Sequence, residues 1–145
     1  MLIWVDADAC PVRAEVEKVA TRHKTRVIMV TNGGIRPSAN PLVETRYVSQ
    51  GADVADMQIA ENVSPRDVVV TNDMPLAAKV VAAGGRVIRP DGSLLNERNV
   101  GEALAMRDLM ADLRAADPFR QGDGKSFGPA DRSRFLDALD RLVRS

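Results

Sequence analysis

Short apolar runs without alternation, at residues 2–5, 26–30 and 67–70, constrain this chain more than any other feature. A strand with one wet face alternates apolar and polar side chains. A strand that is apolar at successive positions needs cover on both faces, which is the situation in a parallel sheet. Helical patterns are interleaved with these runs. Residues 12–22 carry Val12, Val16, Val19 and Ala20 at helical spacing, and Pro11 stands where a helix start tolerates a missing N–H. Residues 53–62 read as a short helix, and residues 75–83 as a helix stopped by Gly84-Gly85. Residues 43–48 predict a third or edge strand and residues 86–88 a last one, followed by the Pro90-Asp91-Gly92 turn. The pattern predicts an α/β fold, a mostly parallel sheet flanked by helices in a Rossmann-like, three-layer arrangement.

After residue 95 the pattern becomes helical, at 100–113 and 130–144, with Phe135, Leu139 and Leu142 on one face. The intervening residues 118–129 hold three glycines and two prolines and predict a mobile loop. The last helix is too short to fold alone, so residues 1–145 are expected to form one domain. Within the loop, residues 121–128 carry Lys125 and read either as a plain connector or as a lid over a substrate phosphate. No internal repeat is apparent.

Composition narrows the functional classes. With 20 basic and 20 acidic residues the formal net charge is zero, which argues against a histone-like cationic binder but leaves room for a local basic patch. No apolar run approaches a membrane span, and no basic segment leads into an apolar one at the N-terminus. The single cysteine, Cys10, excludes an internal disulfide. Together these features predict a cytoplasmic protein with no membrane partner. They carry no signal of oligomeric state.

The chemistry concentrates in aspartates. The run at 2–5 stops at Asp6, and Asp8 follows two residues on. Asp73 follows the run at 67–70, and Asp53 and Asp56 share one helix face. In an open parallel sheet the working crevice lies beyond the carboxyl ends of the strands, so these acids are expected to meet at one edge. Clustered carboxylates stay ionised together only beside a cation, or if one keeps a proton. Hard oxygen ligands suit Mg2+ or Mn2+, and such a site activates water for attack on a phosphodiester. Asp6, Asp8, Asp53, Asp56 and Asp73 are therefore the candidate metal ligands, and Asp6, Asp8 and Asp73 the candidate catalytic residues. Each aspartate at a helix start, taken alone, reads first as an N-cap, and the case for chemistry rests on the Asp6/Asp8 pair.

Other signals are weaker. Cys10 reads as a small packing residue and His23 as a surface residue pointing away from the acids. Thr31-Asn32-Gly33-Gly34 reads as a turn or as a source of backbone N–H groups for a phosphate. Arg13 and Lys79 are the candidate substrate-binding cations, with Arg36 and Arg46 as further phosphate contacts. The arginines of the last helix, Arg132, Arg134, Arg141 and Arg144, read as a solvated face. The Asp-x-Asp spacing also admits a haloacid-dehalogenase-like phosphatase with Asp6 as nucleophile and Asp8 as acid. A third reading is a non-catalytic nucleic-acid-binding module.

The segments "VDADACPV", "GADVADMQIAE", "VVVTNDMPLA" and "FGPADRSRFLDALDRL" resemble the YaiI/YqxD family of bacterial proteins over essentially the whole chain. The resemblance implies a fold grouped with PIN-like and NYN-like nuclease domains. There a strand-end Asp, an acid on a following helix and the Asp of a T-x-D-x-x-L segment bind divalent metal for RNA cleavage. Asp6 matches the first, Asp53 or Asp56 the second and Asp73 the third, with Asp91 as the candidate fourth acid. The resemblance thus implies a metal-dependent ribonuclease, with RNA as partner.

Overall fold

The first strand to emerge becomes the middle of the sheet. The computed structural model describes residues 1–51, 53–116 and 126–145. Among them β1 (Leu2–Asp6), β2 (Arg26–Thr31), β3 (Val43–Tyr47), β4 (Val68–Val70), β5 (Arg86–Ile88) and β6 (Leu94–Leu95) form one sheet in the order β3-β2-β1-β4-β5-β6. The first five strands are mutually parallel, and β6 returns antiparallel to β5. The predicted mostly parallel α/β sheet is therefore what forms. The run at 43–48 is a parallel edge strand.

Helices α1 (Arg13–His23) and α5 (Pro129–Arg144) cover one face, and α2 (Val54–Asn62), α3 (Met74–Ala82) and α4 (Val100–Ala116) belong to the other. The unalternated runs explain the two layers. Ile3, Val5, Val27, Met29, Val68 and Val70 point to the first face; Trp4, Ile28, Val30 and Val69 point to the second. Both sets are buried, because a strand of period two covered on both sides leaves neither set in water. No helix among the described residues is long and apolar enough to cross a membrane.

The predicted helix boundaries move by one to three residues. Val12, not Asp8, stands at the N-cap of α1, and its side chain makes no cap bond. Helix α4 runs on to Ala116. The double glycine after α3 acts as a stop: Gly84 has φ 86°, and the Gly85 N–H reaches the Val80 carbonyl at 2.9 Å. Gly92 is also constrained, with φ 92°, and a Cβ there would lie 2.8 Å from the backbone of Arg134 in α5. The loop predicted at 118–129 falls, through residue 125, outside the described residues, and the lid reading that invokes Lys125 falls there too.

At the lower end of the sheet, Asp67 is 3 % exposed. Its carboxylate accepts the Leu2 N–H (2.9 Å), the Trp4 indole N–H (3.1 Å) and the Ser64 N–H (2.9 Å). It therefore ties β1 to the start of β4. His23 is half-buried and 2.8 Å from Asp140 on α5, which corrects the surface reading. Among the C-terminal arginines, Arg132 and Arg144 are exposed but engaged. Arg132 donates to the Pro11 carbonyl at 2.6 Å, and Arg144 pairs with Asp140.

Candidate active site

A strand order of 3-2-1-4-5 reverses direction at β1, where β2 lies on one side and β4 on the other. Ligands of open α/β sheets bind outside the carboxyl ends of the strands at that reversal. Asp6 is the last residue of β1 and Asp73 is the N-cap of α3, three residues past the end of β4. A cavity of about 230 Å³ opens there, lined by Asp6, Cys10, Thr71, Asn72, Asp73 and Pro90 among others.

Two buried threonines organise the edge. Thr71, which follows β4, donates to Asp6 Oδ2 at 3.2 Å and accepts the Asp73 N–H at 2.9 Å. Thr31, which ends β2, donates to Asp8 Oδ1 and accepts the Gly33 N–H at 3.1 Å. The two strands flanking β1 thus each tether one of its acids. Both threonines sit in a Val-Thr-Asn segment, Val30-Thr31-Asn32 and Val70-Thr71-Asn72. This shared tripeptide is the sequence signal that marks them.

The aspartates do not share one environment. Burial chiefly raises the Asp6 pKa, opposed by the Thr71 hydroxyl, with the Asp73 and Asp8 charges adding to the rise. Asp56, in the first turn of α2, is pushed up to about 7: desolvation is the main cause, then a side-chain hydrogen bond with Asp73 and the charges of Asp73, Asp6 and Asp53. Asp56 therefore keeps its proton up to near neutral pH. Asp73 also caps α3, accepting the Leu76 N–H at 2.9 Å. The cap and the acid cluster are one residue's two roles, one oxygen going to the helix.

Asp8 is exposed but occupied. Its Oδ1 takes the Thr31 hydroxyl and its Oδ2 the Asn32 N–H at 2.9 Å. The first N–H groups of the Thr31–Gly34 turn are accordingly spent within the protein and not held out to a phosphate. Asp53 is exposed, with φ 69°, and its side chain caps nothing; it reaches the cluster through its charge on Asp56. Asp91 is a turn residue, accepting the Ser93 N–H at 2.9 Å and hydroxyl at 2.6 Å, and its pKa is lowered, the Ser93 bonds outweighing burial.

The remaining candidates are dispersed. Lys79 is exposed on α3, roughly 9 Å of helix rise from Asp73 and outside the cavity. Arg46 bonds Glu44 and lies over the Trp4 ring at 5.3 Å. Arg13 opens α1, three residues after the cavity residue Cys10. The Cys10 thiol is buried and pushed up to about 11 by desolvation, so it stays protonated.

Asp6, Asp56 and Asp73 thus come from β1, α2 and α3 and repel one another across one crevice. Among the described residues, no group of three His, Cys, Asp or Glu side chains is arranged to hold a metal ion. The donors are hard carboxylate oxygens of the kind Mg2+ and Mn2+ take, and the proton on Asp56 removes one of the charges that a dication would offset.

The raised pKa of Asp56 sets a pH dependence. The folded-state pKa of Asp56 lies above its ordinary value, so its stabilising contribution is complete below about pH 4 and is lost as pH rises through about 7. Asp56→Asn mimics the protonated form. Its melting temperature relative to wild type should therefore climb between about pH 4 and about pH 7, by an equivalent of about 1–2 kcal/mol after solvent screening. A difference that stays flat across that range would show that Asp56 is not the titrating group. Asp8 should behave oppositely. Asp8→Ala strands two donors and should lower stability by about 1–2 kcal/mol in thermal melts, where relief of repulsion alone would raise it.

Comparisons with known proteins agree on the kinship. The sequence profile of a family described as "Uncharacterized BCR, YaiI/YqxD family" matches residues 4–145. A UPF0178 protein of Cereibacter sphaeroides (strain KD131) is 63 % identical over 142 residues, 98 % of this chain and 88 % of that one. One from Roseobacter denitrificans is 62 % identical, covering 98 % of this chain and 94 % of its own length. One from Rhizobium etli is 52 % identical, covering 99 % and 92 %. No solved structure gives a significant match.

Proposed function

The chain belongs to the YaiI/YqxD family, and we propose that it is a divalent-metal-dependent phosphodiesterase acting on RNA. The observation that carries this reading is the convergence of Asp6, Asp56 and Asp73 at the reversal point of the sheet, with Asp56 raised to about 7 by desolvation first and then by its hydrogen bond with Asp73 and the charges of Asp73, Asp6 and Asp53. A structural role for each acid alone does not account for that repulsion. Asp6, Asp56 and Asp73 would hold the ion. A hard dication bound there supplies a lowered water pKa and neutralises phosphate charge. Thr71 fixes the Asp6 carboxylate, the α3 N-terminus fixes Asp73, and Pro90 narrows one wall of the cavity.

The engagement of both Asp8 oxygens weighs against the phosphatase reading, in which Asp8 must present a free carboxyl as acid. The test is cleavage of a labelled single-stranded RNA by the purified chain in Mn2+ and in Mg2+. Cleavage is expected, is expected to stop on adding EDTA, and should return when Mn2+ is restored in excess. Intact RNA under every condition, with binding that ignores the metal, would instead identify a binding module. A phosphoryl group trapped on Asp6 would identify the phosphatase.

A further inference from the structure

Between β2 and β3 two parallel strands are joined without a helix. Residues 32–42 cross over the face that α1 covers, and a groove of about 260 Å³ lies between that crossover and α1. Its floor is apolar: Met29 and Val43 from the sheet, and Ile35 from the crossover. Its cations are Arg13 at the start of α1 and Arg36 in the crossover. Among the described residues neither makes an ion pair or a hydrogen bond.

The groove also holds one carboxylate, Glu17, but that group is committed elsewhere. It accepts the Ser38 hydroxyl at 2.5 Å. Asn40 donates its side-chain N–H to the Thr21 hydroxyl at 2.9 Å, so the crossover is fastened to α1 at two points. The groove is thus formed in advance, and its two guanidinium groups, neither of them ion-paired, outnumber its one carboxylate, Glu17, which is bonded to Ser38. Unpaired arginines over an apolar floor match a nucleotide: phosphate oxygens take the planar N–H fork and a base covers the aliphatic floor.

Its position relative to the acids is fixed by the chain. Arg13 follows Cys10 of the acid cavity by three residues, and its charge is felt at the Cys10 thiol. Arg36 follows the turn whose Asn32 N–H is bonded to Asp8, and a Cβ at Gly34 would lie 4.0 Å from Asp8 Oδ1. Along the chain, Arg13 thus stands three residues from the acid cavity, and Arg36 two residues from the Gly34 position beside Asp8.

We propose that this groove between α1 and the β2–β3 crossover is a nucleotide subsite, in which Arg13 and Arg36 bind a phosphate of single-stranded RNA next to the segment that enters the acid cavity. The proposal rests on the phosphodiesterase reading for its substrate. Salt-dependent binding separates the two. Binding of a short fluorescein-labelled single-stranded RNA to the full chain is followed by anisotropy in EDTA, where no cleavage intervenes, from low to physiological salt. Arg13→Ala and Arg36→Ala should each weaken binding about fivefold and lower the slope of log K against log salt by about 0.7. Arg36→Lys should keep the slope. Arg107→Ala, on the far side of the sheet in α4, should change neither. A wild-type chain that binds no RNA, Arg13 and Arg36 variants that keep the wild-type slope, or an equal loss in Arg107→Ala would each overturn the subsite. Hydrolysis of bis(p-nitrophenyl) phosphate in Mn2+, a diester too small to span both places, reports on the acid site alone. Its failure with the arginine effects intact would remove the phosphodiesterase and leave the subsite standing.

Discussion

Asp6→Asn should abolish metal-dependent RNA cleavage, with a loss of about 100-fold or more, while the melting temperature holds or rises. The two readouts separate chemistry from folding. Asparagine keeps an oxygen that accepts the Thr71 hydroxyl, so the junction of β1 and β4 survives the change. What disappears is a negative charge that burial already disfavours and that Asp73 and Asp8 repel. Removing it relieves the folded protein, and the proton on Asp56 should loosen in turn. A neutral amide cannot replace a carboxylate whose charge holds a dication, and mutations at groups that stabilise developing charge cost factors of about 100 to 1,000. Cleavage rates in Mn2+ and a thermal melt on the same preparation decide it. A variant that retains more than about a tenth of the wild-type rate would remove Asp6 from the site.

Asp67→Ala should produce the largest loss of stability, about 3–5 kcal/mol, at a residue that takes no part in the proposed chemistry. Three donors lose their acceptor together: two backbone N–H groups and the Trp4 indole. Each buried unsatisfied donor costs about 1–3 kcal/mol, with some recovery where water reaches Leu2 and Ser64. Against a total stability of about 5–15 kcal/mol this is a large fraction, and it corresponds to a drop of roughly 10 °C in melting temperature. Asp67→Asn should fall between, because its amide keeps one accepting oxygen and turns an N–H toward a donor. Circular dichroism melts of the three proteins test the ordering. A drop below about 3 °C for Asp67→Ala would mean that water replaces the carboxylate.

The two aspartates illustrate what the sequence let through. Asp6 stands at the end of an apolar run, and its position follows from local pattern plus the rule that parallel sheets work at their carboxyl edge. The same reasoning predicted the strands at 2–5, 26–30 and 67–70 and the helix stop at Gly84. Asp67 opens such a run and looked like part of it, yet its partners lie 65 and 63 residues away. Long-range partners leave no trace in local periodicity. The engagement of Asp8 is hidden for the same reason: its hydroxyl donor, Thr31, is 23 residues distant and belongs to another strand. His23 looked exposed because nothing nearby announces Asp140, 117 residues on. The two-residue β6 is too short for any period, and only its hydrogen bonding to β5 defines it. Asp53 stands at the N-cap of α2 with a left-handed backbone, and its side chain makes no cap bond.

The placement of Trp4 has an optical consequence. It is the only tryptophan in the chain, it lies on the central strand two residues before Asp6, and it is 2 % exposed. Its indole N–H is bonded to a carboxylate and a guanidinium lies over its ring. Excited at the red edge, where tyrosine and phenylalanine no longer absorb, the protein therefore emits from one fluorophore, lodged in the strand that carries the acid. Its native spectrum is that of a dry indole beside a fixed charge, and a red shift reports the entry of water between β1 and its neighbours without any label.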